Sequence, residues 1–97
     1  MAIAILAEIP GLTQEQYETV VRKVNEAGTP AGALFHAGGP TDGGYRVVEV
    51  WVSQAAADAF YGSARYQQAT ATVTTQPQIS SWPVYGLDDG SGWKRIA

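Results

Sequence analysis

The clearest element in the sequence is an amphipathic helix that begins after Thr13. Thr13 and Gln16 have the spacing of a capping box, in which each side chain hydrogen-bonds the backbone of the other residue. Beyond them, apolar residues recur at positions 17, 20, 21, 24 and 27, which is the spacing of one helical face. Gly28 then supplies a C-terminal stop. This helix fixes the frame in which the remaining elements are placed.

Three segments around this helix have the patterns of β-strands. Residues 2–8 are apolar, and the Pro10-Gly11 pair ends them. Residues 32–38 and 45–53 are two further apolar stretches, and the turn-forming residues 39–44 lie between them. This arrangement predicts a β-hairpin whose loop is slightly longer than the tightest types.

The second half of the chain predicts another helical region and a final strand. Ser53 can cap a helix from Gln54, with Phe60 on its apolar face, and the Gly62-Ser63 pair separates it from a helical piece over residues 64–73. Residues 78–85 return as a strand.

The element order therefore predicts an α+β fold of the ferredoxin-like βαββαβ type, an antiparallel sheet with both helices on one face. We expect residues 1–87 to form this domain. The Gly-rich residues 88–97 are expected to form a tail, either loose or serving as a dimer arm.

The third strand suggests what covers the other face of the sheet. Because side chains alternate along a strand, one set of residues in the third strand is expected to face the helices and the other set to lie on the uncovered face of the sheet. A large apolar face is unusual on a soluble monomer, so we expect two sheets to pack together as a homodimeric α/β barrel enclosing an aromatic-lined pocket. The set assigned to the helices is Val48, Val50 and Val52, and the set assigned to the bare face is Tyr45, Val47, Glu49 and Trp51.

Composition excludes several classes of function. The net charge is −3, and the 6 Lys and Arg residues are scattered, so nucleic acid is not an expected partner. The absence of Cys excludes disulfides, thiolate metal sites and a cysteine nucleophile. The N-terminal apolar run is too short for a signal segment or a membrane span, so we expect a cytoplasmic protein without a membrane partner. No metal site or cofactor is predicted.

Two segments carry a resemblance to a known superfamily. Val48-Glu49-Val50-Trp51, the helix after it, and Ser63-Ala64-Arg65-Tyr66-Gln67 resemble the antibiotic biosynthesis monooxygenase-like dimeric α/β barrels, whose members commonly have a Glu-x-Trp strand. Residues 34–51 look still more like small uncharacterised actinobacterial members. The resemblance implies the fold more strongly than an activity, because the superfamily includes cofactor-free oxygenases, haem-degrading enzymes, cyclases and isomerases.

The chain departs from that superfamily where many members have histidines on and after the second helix. Phe60 and Arg65 occupy those positions here. A haem ligand is therefore not expected.

The single histidine, His36, is the main acid/base candidate, because imidazole can change charge near neutral pH. The alternative is a hydrogen-bonded wall residue near the hairpin. Glu49 is the second catalytic candidate, since apolar surroundings would raise its pKa and make it a proton shuttle. Its alternative role is a structural ion pair with Arg46 or Arg65.

Six aromatic side chains are candidates for stacking a planar substrate, and packing in the core or a dimer interface is the alternative for each. They are Tyr45, Trp51, Tyr61, Tyr66, Trp82 and Tyr85.

Together these features predict a small cofactor-independent enzyme of secondary metabolism, either a monooxygenase or a cyclase/isomerase, acting on an aromatic or polyketide-like molecule. The competing hypothesis is a non-catalytic ligand-binding or dimerisation module with the same fold. A cavity lined by His36 would favour an enzyme or a binder, and a space filled by aromatic side chains would favour a structural role.

Overall fold

Residues 1–96 are described by a computed structural model. Its elements are β1 (Ile3–Pro10), α1 (Gln14–Asn25), β2 (Ala33–Thr41), β3 (Gly44–Trp51), α2 (Gln54–Tyr61), α3 (Ala64–Ala69), β4 (Gln78–Pro83), β5 (Gly86–Asp88) and β6 (Trp93–Arg95).

The first four strands in the chain form one antiparallel sheet in the order β2-β3-β1-β4. Side chains of α1 and α2 both contact the same face of β3, where Tyr17 stacks on Tyr45 and Phe60 packs on Trp51. The predicted ferredoxin-like α+β fold, with its helices on one face of an antiparallel sheet, is confirmed.

Both predicted N-caps are present. Thr13 and Gln16 form the capping box at the start of α1, and the Ser53 side chain accepts a hydrogen bond from the Ala56 backbone at the start of α2. These caps satisfy backbone N–H groups that the first turn of a helix leaves without partners.

The hairpin between β2 and β3 is tighter than predicted. Thr41 pairs with Gly44, so only Asp42 and Gly43 form the loop, and Gly43 has a φ of +75°. An Asp-Gly pair favours such two-residue turns because glycine adopts positive φ without steric cost. The six-residue turn in the prediction was wrong, and both strands extend into it.

The C-terminal half also differs in its boundaries. The helical piece after Ser63 is shorter than predicted and ends at Ala69, and β4 ends at Pro83. Residues beyond it form a small hairpin, in which Gly86 lies against the Trp93 ring where a side chain on residue 86 would clash. Within the described residues the segment is thus structured rather than loose.

The assignment of sheet faces was wrong. Tyr45 and Trp51 lie beneath the helices, where Tyr17 and Phe60 pack on them, and Val47 lines the same cavity as side chains of α1. No residue of α1 is fully buried. The helices therefore do not pack closely on the sheet along their whole length, and the large side chains of β3 fill part of the space between the two layers.

The face away from the helices carries a smaller apolar surface. Cross-strand pairs in an antiparallel sheet point to the same side, which places Leu6 with Val48 and Ala4 with both Val50 and Trp82. The Trp82 side chain is 45% exposed at the edge of this face.

The tightest packing lies where α2 meets the sheet. Ala57 is 0% exposed and packs with Ile5 and Trp51.

We expect Ala57→Leu to lower the free energy of unfolding by about 1–3 kcal/mol, because the added atoms have no space. Chemical denaturation measures this change. The exposed Ala55 of the same helix provides the control, and Ala55→Leu should change stability by less than about 0.5 kcal/mol. Equal effects of both substitutions would contradict the described packing.

Candidate active site

The sheet register brings His36 and Glu49 together. His36 on β2 and Glu49 on β3 are cross-strand partners, so their side chains leave the sheet on the same side, toward the helices. The His36 Nδ1 atom lies 3.1 Å from Glu49 Oε2. The two predicted catalytic residues therefore form one hydrogen-bonded pair.

Glu49 is held by two further donors. The Trp51 indole N–H donates to Glu49 Oε1 over 3.1 Å, and the Tyr61 hydroxyl from α2 donates to the same oxygen. The Glu49 side chain is only 14% exposed. A carboxylate this buried requires such donors.

The pKa of Glu49 is lowered. Burial of the carboxyl group acts to raise it, but the hydrogen bonds from His36, Tyr61 and Trp51 outweigh burial. The sequence predicted a raised pKa and a proton shuttle. The structure gives an ionised carboxylate whose role toward His36 is that of a hydrogen-bond acceptor.

This ionised carboxylate determines which nitrogen of His36 carries the proton. A carboxylate only accepts hydrogen bonds, so in the neutral imidazole Nδ1 is the nitrogen that carries the proton and Nε2 keeps its lone pair. The Tyr17 hydroxyl of α1 lies 2.6 Å from Nε2 and donates to it. His36 is thus oriented on one side and presents a basic nitrogen on the other.

These residues line a cavity of about 820 Å³ between the sheet and the helices. A volume of this size is ample for a small-molecule ligand. His36, with a side chain 41% exposed, lies in its wall together with Tyr17 and Glu49. This cavity lies within one chain, under its own helices, whereas the sequence predicted a pocket between two packed sheets.

Three of the six predicted stacking residues line this cavity, namely Trp51, Tyr61 and Tyr66. The pKa values of both tyrosines are raised, chiefly by burial and also by the neighbouring Glu49 charge, so their hydroxyls stay protonated. The other three candidates, Tyr45, Trp82 and Tyr85, do not line it. Tyr45 is buried beneath Tyr17, and Trp82 and Tyr85 are exposed elsewhere.

The ion pairs proposed for Glu49 are absent among the described residues. Arg46 pairs with Glu8 over 3.4 Å at the sheet surface. Arg65 donates to the backbone carbonyls of Val24 and Gly28 at the end of α1. Cations at a helix C-terminus satisfy carbonyls that the last turn leaves without partners, and Arg65 therefore has a structural role.

Sequence reasoning missed Tyr17 as a site residue. Its position on the apolar face of α1 was indistinguishable from that of a core side chain. Phe60 was predicted on the apolar face of the second helix but not as a site residue, and it lines the cavity and packs on Trp51.

Within residues 1–96 no three His, Asp or Glu side chains cluster as metal ligands would. No helix in that part of the chain is both long and apolar enough to cross a membrane.

Several solved structures share this fold. A point mutant of SnoaB from Streptomyces nogalater, described as a cofactor-independent oxygenase, superimposes with a TM-score of 0.69 at 10% identity over 86% of this chain and 92% of the other. A candidate antibiotic biosynthesis monooxygenase from Caulobacter crescentus gives a TM-score of 0.67 at 20% identity over 84% and 87%. A dimeric ferredoxin-like protein of unknown function from Jannaschia gives 0.64 at 13% identity over 87% and 100%.

Neither protein-family models nor curated protein sequences match the chain. At identities this low the similarity shows the ferredoxin-like fold and leaves the activity to be argued from the site.

The lowered pKa of Glu49 has a consequence for stability. The native hydrogen bonds of the carboxylate stabilise the fold at neutral pH, and this stabilisation is lost as the pH falls through the folded-state pKa. We expect Glu49→Gln to lower the free energy of unfolding at neutral pH by about 1–3 kcal/mol, since Glu49 accepts hydrogen bonds at both oxygens and the NH₂ group of Gln would replace one of these acceptors with a donor. The variant should also lose less stability on acidification, as measured by denaturation across pH.

Glu8→Gln is the matched control, because Glu8 belongs to an exposed ion pair. That substitution should cost under about 1 kcal/mol. An equal loss of unfolding free energy at both positions would show that the buried hydrogen bonds of Glu49 stabilise the fold no more than an exposed ion pair does.

Proposed function

We propose that the chain is a small cofactor-independent enzyme that removes a proton from a hydroxyl group of an uncharged aromatic or polyketide-like molecule. The observation that carries this proposal is the His36–Glu49 pair in the wall of the cavity, which places the proton of the neutral imidazole on Nδ1 and leaves the Nε2 lone pair facing the Tyr17 hydroxyl. A histidine oriented by a carboxylate is a common general base in enzymes.

The pair also suits the charge that develops during such a reaction. When His36 accepts a proton it becomes an imidazolium, and the adjacent Glu49 carboxylate stabilises it. The Glu49 carboxylate is mostly buried, so this attraction is stronger than that of a fully exposed ion pair. Glu49 therefore acts through His36 and does not transfer the proton itself.

The cavity lining favours an uncharged substrate. Among the described residues that line it there is no Lys or Arg, and Glu49 is its one carboxylate. A ligand carrying a carboxylate or phosphate would find no cation to pair with and would be repelled by Glu49. An aromatic molecule would instead pack against Phe60 and Tyr66.

The anion formed in this way can lead to either of two reaction classes. An electron-rich aromatic anion can react with O₂ without a metal or flavin, and the comparison with SnoaB, described as a cofactor-independent oxygenase of the same fold, supports this monooxygenase reading. An enolate made by the same base would support cyclisation or isomerisation in secondary metabolism.

The second candidate function is non-catalytic ligand binding in the same cavity. The open volume beside His36 favours an enzyme or a binder over a purely structural module, since aromatic side chains do not fill it. A binder would not depend on the basic nitrogen of His36. The fate of a bound phenol therefore separates the two functions.

We also propose that two copies associate through the sheet face that carries Leu6, Val48 and Trp82. These apolar side chains lie on the face opposite the helices. The dimeric state of the Jannaschia protein of the same fold supports the association.

The proton-transfer proposal is tested with 4-nitrophenol, an uncharged phenol whose anion absorbs visible light. In buffer about one pH unit below the pKa of the free phenol, the bound phenol should be largely ionised in the native protein. His36→Ala should lower the anion-to-phenol ratio by about tenfold or more, one pKa unit. An unchanged ratio would exclude His36 as the base and favour the binding module.

The same experiment tests ligand charge with 4-nitrobenzoate, which has the same ring and a permanent negative charge. It should bind at least about tenfold more weakly than 4-nitrophenol, because Glu49 repels it. Binding is followed by quenching of Trp fluorescence. Equal affinities would contradict the preference for uncharged ligands and leave the role of His36 intact.

The association is tested by light scattering after size exclusion. We expect the native protein to elute as a dimer and Val48→Lys as a monomer, since a buried unpaired ammonium group opposes association. Glu18→Lys, on the exposed side of α1, should remain dimeric. A dimer that survives Val48→Lys would place the interface elsewhere.

A further inference from the structure

The basic nitrogen of His36 is not free to receive a substrate. The Tyr17 hydroxyl lies 2.6 Å from Nε2, and Glu49 occupies Nδ1. If His36 is the base, as proposed above, a substrate hydroxyl must either displace Tyr17 or transfer its proton through it.

The position of the Tyr17 ring argues against displacement. The ring stacks on the buried Tyr45 with centroids 4.5 Å apart and an interplanar angle of 24°. It also lies nearly parallel to the His36 ring, at 14° and 5.9 Å. Stacking of this kind stabilises an aromatic pair beyond simple burial, so the position of the Tyr17 ring is fixed.

Gly38 on β2 leaves the space that the Tyr17 hydroxyl occupies. A Cβ atom on residue 38 would lie 2.5 Å from the Tyr17 hydroxyl oxygen and 2.6 Å from the ring carbon that bears it. The hydroxyl reaches His36 only because residue 38 has no side chain. Because the Tyr17 ring is stacked on Tyr45, its hydroxyl cannot move away from such a Cβ atom unless the whole ring shifts.

The Tyr17 oxygen can meet a substrate as well. It lines the cavity, and while its proton is donated to His36 its lone pairs can accept a hydrogen bond. We propose that Tyr17 is a further catalytic residue, which passes the proton of a substrate hydroxyl to His36 and then donates a hydrogen bond to the substrate oxyanion.

The transfer is balanced in protons and electron pairs. The substrate O–H bond breaks, its electron pair stays on the substrate oxygen, and the proton forms a new O–H bond on Tyr17. The original Tyr17 proton moves to the Nε2 lone pair of His36. The products are a substrate oxyanion, a neutral Tyr17 and an imidazolium paired with Glu49.

The electrostatics of Tyr17 fit a relay that stays neutral. Burial raises its pKa, and the neighbouring Tyr45 and Glu49 raise it further. A lasting phenolate is therefore disfavoured, and the hydroxyl can both accept and donate. Gly38 acts as a positioning residue for this hydroxyl.

The test measures the anion-to-phenol ratio of bound 4-nitrophenol in Tyr17→Phe. Loss of the hydrogen bond that Tyr17 donates to the substrate oxyanion should lower this ratio roughly tenfold, while the stacked ring and the fold are retained. If Tyr17 only covers His36, its removal would free Nε2 and the ratio would rise. A rise or an unchanged ratio would overturn the proposal.

Gly38→Ala provides a second route to the same answer, because it keeps the hydroxyl but moves it from His36. We expect the ratio to fall as in Tyr17→Phe. Gly39→Ala is the matched control on the same strand, since a Cβ atom there has nothing within 4 Å, and it should leave the ratio unchanged. Thr19→Val, which removes a hydroxyl from α1 outside the cavity lining, should also leave it unchanged.

The His36→Ala variant separates this inference from the function on which it rests. A low ratio in His36→Ala together with a native or higher ratio in Tyr17→Phe would remove Tyr17 from the mechanism and leave His36 as the base. A native ratio in His36→Ala would remove the base itself. Thermal unfolding of each variant identifies any that fails to fold. If Tyr17→Phe fails to fold, Gly38→Ala takes its place in the test. The imidazole ¹⁵N shifts of His36 in Gly38→Ala then report whether the Tyr17 hydrogen bond is lost.

Discussion

The Glu49 carboxylate is the constraint on which the site depends. A buried negative charge must be matched by donors, and these come from three elements: His36 on β2, Trp51 on β3 and Tyr61 on α2. Through His36 the network continues to Tyr17 on α1. The same hydrogen bonds therefore tie the helices to the sheet and orient the imidazole, so stability and the proposed chemistry share one set of contacts.

The cavity follows from how the two layers are spaced. Valine and alanine on the helices leave a gap that the aromatic side chains of β3 only partly fill, and none of α1 is fully buried. Close packing is retained where α2 covers Trp51 through Ala57. The molecule thus combines a dense region, which supports the Glu49 network, with an open region in front of His36.

Local chemistry made the fold predictable, since caps, glycine stops and apolar periodicity each point to one element. The sheet faces were not predictable by residue size, because large side chains were assumed to need a partner subunit and instead span the gap to the helices. The pairing of His36 with Glu49 was available in principle. A two-residue Asp42-Gly43 turn places these residues opposite each other, whereas the longer loop that was predicted shifts the register. Tyr17 carried no distinguishing signal, because its role depends on a tertiary contact with a residue 19 positions away.

The fold alone does not define the reaction, since proteins with this architecture include one described as an oxygenase and one of unknown function. What distinguishes this chain is where its charges lie. Among the described residues that line its cavity Glu49 is the one carboxylate, and this negative charge repels any ligand that arrives as an anion. A substrate that enters neutral and becomes negative only at the base leaves the net charge of the site unchanged, because the proton it loses stays on His36. The arrangement is therefore suited to making an anion in place, and poorly suited to binding one.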